Sequence, residues 1–147
     1  MGLDDHEGVL VRCQEDPGVS VRLYDSFVVD EDSVGFSVDL RACGFQATVR
    51  GAEVGIWDDS DLPRFVGRLA ADYQGWSGLR TWDTRYLLVE AEHHSRGRVR
   101  LAWTLRPWDG DGASWSATVT TWLEAGEQMR RLADDLAMLL PGHDQRG

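Results

Sequence analysis

The chain has 147 residues, 42% hydrophobic and 27% charged, which is too apolar for a disordered segment and close to the commonest size of a single folding unit. Its formal net charge of −10 sets it against phosphate backbones, so nucleic acid is excluded as an expected ligand. Met1 to Glu7 is acidic and carries neither a basic nor an apolar leader segment, and no apolar run is long enough to cross a bilayer. These features predict a cytoplasmic protein with no membrane partner, in which Cys13 and Cys43 stay reduced.

In chain order, Val9 and Val11 share a parity that Cys13 continues, marking Cys13 as a small buried hydrophobe. From Val19 the alternation of Val19, Val21 and Leu23 with Ser20, Arg22 and Tyr24 predicts a half-buried strand. A hairpin follows. Val34, Phe36, Val38 and Leu40 lie on one face, and beyond a turn at Cys43-Gly44 the pattern resumes with Phe45, Ala47 and Val49.

Between Asp59 and Gln74 the period lengthens. Leu62, Phe65, Val66, Leu69, Ala70 and Tyr73 form one helical stripe, with capping carboxylates at Asp59 and Asp61 and a stop at Gly75. Period two returns in Leu87, Val89, Ala91 and His93, and again in Val99, Leu101, Trp103 and Leu105 after Ser95-Arg96-Gly97. If both apolar sets face the core, the three-residue loop puts Glu92 opposite Arg100 and His94 opposite Arg98. Trp115, Ala117, Val119, Thr121 and Leu123 predict a further strand after the turn Asp109-Gly110-Asp111-Gly112. A last helix runs from about Gly126 to Leu140 on Met129, Leu132, Ala133, Leu136, Leu139 and Leu140, ending at Pro141-Gly142. No sequence repeat or linker is visible. The expected architecture is α+β, a single mostly antiparallel sheet of seven to eight strands packed with two amphipathic helices. It forms one domain over 1–147 with frayed ends at 1–7 and 142–147.

Catalytic and metal chemistry find little support in this pattern, and neither cofactor nor metal is expected. His93 and His94 are adjacent on a strand and point to opposite faces, so they cannot chelate one ion, and Glu90 and Glu92 have arginines opposite to explain them. The run Asp109 to Gly112 lacks the remaining ligands of a calcium loop, and Gly75-Trp76-Ser77-Gly78 is not a nucleophile elbow. An enzyme remains a third reading, its site assembled from His93 or His94 with Glu90, Glu92 and Asp83.

Two features suit binding instead. One is the acidic clustering, at Asp4, Asp5 and Glu7, at Asp30, Glu31 and Asp32, at Asp58, Asp59 and Asp61, and at Asp134 and Asp135. The other is seven tryptophans. Trp103 and Trp115 fall on apolar faces and are expected in the core. Trp122 has the opposite parity, and Trp76, Trp82 and Trp108 fall near element ends, where an indole can stay partly exposed and serve as a protein or sugar contact. The expected binding residues are therefore Trp76, Trp82, Trp108, Trp122, Asp58, Asp59 and Asp61.

Phe65, Leu69, Gly75-Trp76, Gly78, Trp82, Trp103, Trp115 and the segment Leu123-Glu124-Ala125-Gly126-Glu127-Gln128 resemble, over nearly the whole chain, a family of small actinobacterial proteins of unknown function. That resemblance implies no activity and carries over no functional residue. In outline the architecture is also similar to small acidic immunity proteins that neutralise secreted toxins. The leading expectation is a non-catalytic acidic module that binds a basic protein; the alternative is a domain holding a small molecule or sugar in a tryptophan-lined hollow.

Overall fold

The computed structural model describes residues 8–55, 61–107 and 114–140. Its elements repeat one order twice, four strands and then a helix. Strands β1 (Val9–Arg12), β2 (Ser20–Asp30), β3 (Ser33–Ala42) and β4 (Phe45–Gly55) precede helix α1 (Leu62–Ala71). Strands β5 (Leu79–Asp83), β6 (Leu87–His94), β7 (Arg98–Leu105) and β8 (Ala117–Glu124) precede helix α2 (Glu127–Leu139). The sequence shows no such repeat because the two halves share an order of elements rather than residues.

The fold class is α+β, but the expected single sheet is corrected to two four-stranded antiparallel meanders, β1-β2-β3-β4 and β5-β6-β7-β8. A backbone hydrogen bond links them at one edge, Gln14 N–H donating to the Trp122 carbonyl at 2.9 Å, and elsewhere β2 and β3 lie against β8 and β4 against β7. Strand periodicity shows which face of each strand is buried. It does not show where ladder pairing stops, so one sheet and two abutting sheets give the same pattern.

The expected turn at Cys43-Gly44 and the expected register across Ser95-Arg96-Gly97 both form, although Phe45, placed with the apolar face, is exposed. Ala42 pairs with Phe45 across the Cys43-Gly44 turn, and Glu92 and His94 face Arg100 and Arg98 across the short helical turn Ser95–Gly97. Two bulges reset parity inside the first sheet. In β4 the register slips opposite Phe36 and Ser37, so the buried positions change from Val49 to Ala52 and Val54. Gly51 sits at the slip with φ of +93°, a backbone conformation in which a side chain would be strained. In β2 the slip between Tyr24 and Phe27 includes Asp25 at φ of +54° and carries Phe27 onto the outer face, over Gly35. A Cβ at Gly35 would lie 2.3 Å from the Phe27 ring, so the contact requires glycine there.

One apolar core joins all the layers. Val21, Leu23, Phe36, Val38 and Leu40 of the first sheet meet Leu87, Val89, Val99, Leu101 and Trp103 of the second, closed by Leu62, Val66 and Leu69 of α1 and by Met129, Leu132 and Leu136 of α2. The helices pack on each other, and α2 also touches β1 and β8.

Capping explains both helix starts. The Asp61 carboxylate accepts from Arg64 N–H at 3.2 Å, and Pro63 fits the first turn of α1. At α2 the lock is reciprocal: Glu124 N–H donates to the Gln128 amide oxygen at 2.7 Å, while the Glu124 carboxylate accepts from Gln128 N–H at 3.2 Å and Gly126 N–H at 3.0 Å. The N–H of Gln128, and then that of Gly126, hold the Glu124 carboxyl below its ordinary value of 4.5. A depressed carboxyl adds stability above its unfolded pKa and loses it as pH falls through the folded one. Glu124→Ala should therefore cost about 1 kcal/mol at neutral pH, the size of a lost helix cap. In urea titrations at several pH values, the gap from wild type should close once pH drops well below 4.5.

Candidate protein-binding surface

The segment linking α1 to β5 brings the first tryptophan onto the surface. Gly75 N–H donates to the Asp72 carbonyl and turns the chain at the helix end, leaving Trp76 half-buried against the core edge. Its ring is held on two sides: the Arg80 guanidinium lies 4.7 Å over it, and the His93 ring meets it edge-on at 5.3 Å. Each holder is itself fixed. Arg80 donates to Asp72 at 2.7 Å, and His93 Nε2–H donates to the Tyr73 carbonyl at 3.2 Å, which sets the tautomer because a carbonyl only accepts. The Tyr73 side chain, expected to end the helical stripe, lies past the helix end and is 54% exposed.

Trp122 sits on the opposite face of the second sheet, at the junction with the first. Arg98 lies 4.6 Å over its ring and is paired with Glu15, and the His94 ring abuts it at 4.9 Å. Its backbone N–H points to the buried Cys13 sulfur at 3.4 Å. His94 and Arg100 both reach the Glu92 carboxylate, at 3.1 and 3.3 Å. His93 and His94 thus each support a different tryptophan on a different face. Of the residues considered for a catalytic site, His94 and Glu92 are thus brought together, whereas Asp83 is taken by Arg106 at 2.9 Å. Among the described residues no three His, Cys, Asp or Glu side chains are grouped to hold a metal ion, and no helix is long and apolar enough to cross a membrane.

Two tryptophan expectations are corrected. Trp82 is 4% exposed, because β5 presents it to the core opposite Val89, so it is not a surface contact. Trp115 is 44% exposed, because the ladder with β7 begins only at Ala117 and nothing fixes its parity. Asp61 is the α1 cap. Asp58, Asp59 and Trp108, like the turn Asp109 to Gly112, the helix stop at Pro141-Gly142 and both chain ends, lie outside the described residues.

Two surface hollows, of 590 and 460 Å³, flank α1. The first lies between the helices along Gly67, Ala70, Ala133 and Arg130, and the second between α1 and β5 along Phe65, Arg68, Leu69 and Arg80. Neither of these two is lined by tryptophan.

On the outer face of the first sheet, Asp39 is buried and accepts from Tyr24 at 3.0 Å and Thr48 at 2.8 Å. Burial first, and then this hydrogen bond, push the Tyr24 phenol above its ordinary value of 10.0.

A surface that the periodicity did not reveal lies at the tip of the β2–β3 hairpin. Phe27, Val28 and Val29 are 50%, 78% and 40% exposed. Three successive apolar residues on a strand cannot all face one core, and that run, abutting Asp30-Glu31-Asp32, was the available signal.

No curated protein and no solved structure matches the chain. A family model does, over residues 12–143, nearly the full length, and its match places the Gly75-Trp76 turn, Trp122 and the Glu124–Gln128 cap inside the shared region. The chain thus belongs to DUF6228, a family of unknown function.

Proposed function

We propose that this chain is a non-catalytic, acidic protein-binding module of the cytoplasm that recognises a partner with a basic surface, as small acidic immunity proteins do with toxins. The observation that carries this reading is the Trp76 patch. Tryptophan and arginine are among the side chains that most often dominate binding energy, and here Trp76 and Arg80 stand together with the indole already fixed by Arg80 and His93. A pre-set aromatic loses little freedom on binding. The net charge of −10 supplies the long-range attraction.

The test is capture from the native lysate followed by association kinetics over a salt series. The on-rate should fall as salt rises, while the off-rate changes little. Trp76→Ala should speed dissociation roughly thirtyfold, the loss of one hot spot, with a smaller effect on association. A partner whose on-rate ignores salt, or one that leaves wild type and Trp76→Ala at the same rate, would count against the reading.

A small-molecule module is the second reading. It is favoured by the hollow between α1 and β5, whose 460 Å³ is within the ordinary range of ligand sites and which sets Arg68 and Arg80 beside apolar Phe65 and Leu69. Mass spectrometry of extracts from the purified protein decides it: a metabolite recovered in stoichiometric amount, with no protein captured, promotes this reading over the first.

A further inference from the structure

We propose that the β2–β3 hairpin tip is a docking element that enters an apolar cleft with a basic rim on a partner protein. This deepens the proposed recognition of a basic protein, on which it rests, by naming a second contact surface and the shape it fits.

Geometry supplies the apolar part. Phe27 lies on the outer face over Gly35, whereas Val28 pairs with Val34 and has the opposite parity, so the tip is apolar on both sides of the ribbon. A surface apolar on one side would sit on a flat patch; one apolar on both sides is covered only by a cleft with two walls. The β2 slip at Asp25 is what turns Phe27 outward, and the missing Cβ at Gly35 makes room for its ring over the ribbon. Both local irregularities therefore serve to place this side chain.

Charge supplies the rim. Asp25 stands at the base, Asp30, Glu31 and Asp32 form the turn, and Glu53 lies opposite Gly35 on β4. The turn is shaped by Asp30, whose carboxylate accepts from Asp32 N–H at 2.8 Å and the Ser33 hydroxyl at 3.0 Å. No arginine lies between Tyr24 and Leu40. Five carboxylates around three apolar side chains repel a second copy of the same tip and attract a cationic rim.

A designed two-helix peptide, with a leucine-lined groove between its helices and arginines along both rims, is the probe, titrated into isotopically labelled protein and followed by amide chemical shifts. Perturbations should centre on residues 25–35. Phe27→Ser with Val28→Ser and Val29→Ser should weaken binding about tenfold or more, and so should Asp30→Asn with Glu31→Gln and Asp32→Asn, which keeps the apolar side chains. Thermal unfolding checks that both variants remain folded, as these exposed positions allow. Shifts centred elsewhere, equal binding by either variant, or equal binding of the same peptide with glutamate rims would overturn the proposal. Concentration-dependent dimerisation of wild type that the triple-serine variant abolishes would also overturn it, assigning the tip to a second copy. A native basic partner lost with Trp76→Ala but indifferent to both tip variants would refute the tip while leaving the recognition of a basic protein intact; failure to find any basic partner would remove the latter without altering the peptide result.

Discussion

Trp103→Ala is expected to destabilise the fold by about 3–5 kcal/mol, enough to unfold a marginal domain at physiological temperature. Trp103 is the largest fully buried side chain and stands where the two sheets and the helices share one core. Its removal leaves a cavity that the ladders on both sides of β7 prevent from closing. The indole also makes a hydrogen bond that separates packing from polar pairing. Trp103 Nε1–H donates to the Thr121 hydroxyl at 3.0 Å, and that hydroxyl is directed in turn to the Leu101 carbonyl at 3.5 Å. Thr121→Val keeps the volume and strands a buried N–H, which should cost about 1–3 kcal/mol. Adding Thr121→Val to Trp103→Phe should then cost less than it does alone, because phenylalanine has no donor to strand. Urea unfolding followed by far-ultraviolet circular dichroism measures each step. Strict additivity would mean that the hydrogen bond contributes nothing.

The core of this molecule was legible because its strands have one buried face. Alternation assigns the buried set in β3, β6, β7 and β8, and loop parity alone fixes the Glu92–Arg100 and His94–Arg98 pairs. Elements lacking that signal were missed. Strand β5 buries only Trp82, and its other apolar residue, Leu79, has the opposite parity and is exposed, so the five residues show no period. The slips at Asp25 and Gly51 invert parity in mid-strand, so a continuous pattern reads as a break. The division into two sheets depends on ladder ends, which leave no trace in composition.

Surface chemistry was legible less well, and for a different reason. An indole near an element end is free to turn inward or outward, and the choice depends on what tertiary structure places beside it. Trp82 was drawn into the core and Trp115 left outside it, while Trp76 and Trp122 were each held by an arginine and a histidine distant in sequence. In the sequence Thr121 is an ordinary position of β8, and only the tertiary structure sets Trp103 beside it. The hairpin tip was the reverse case, visible as an apolar run against acids but obscured by the expectation that strands alternate.

Trp122→Ala should loosen the contact of the β1–β2 loop with the second sheet. The β1–β2 loop reaches the second sheet through Trp122, by Gln14 N–H on its carbonyl, by Cys13 beneath its backbone and by Glu15 on the Arg98 that covers its ring. A half-buried indole should contribute about 2 kcal/mol, less than a fully buried one. Its loss also frees Arg98 and His94 from their aromatic contact, so loop and sheet should separate more often than the molecule unfolds. The two cysteines report on this directly. Cys43 is exposed and Cys13 is buried at this contact, so in wild type one thiol should react quickly with a disulfide reagent and the other only on opening. In Trp122→Ala the slow thiol should speed up by more than the loss of global stability accounts for, with the Cys43 rate unchanged. If Cys13 instead follows global unfolding in both proteins, Trp122 is an ordinary core contact and the loop and the second sheet behave as one rigid unit.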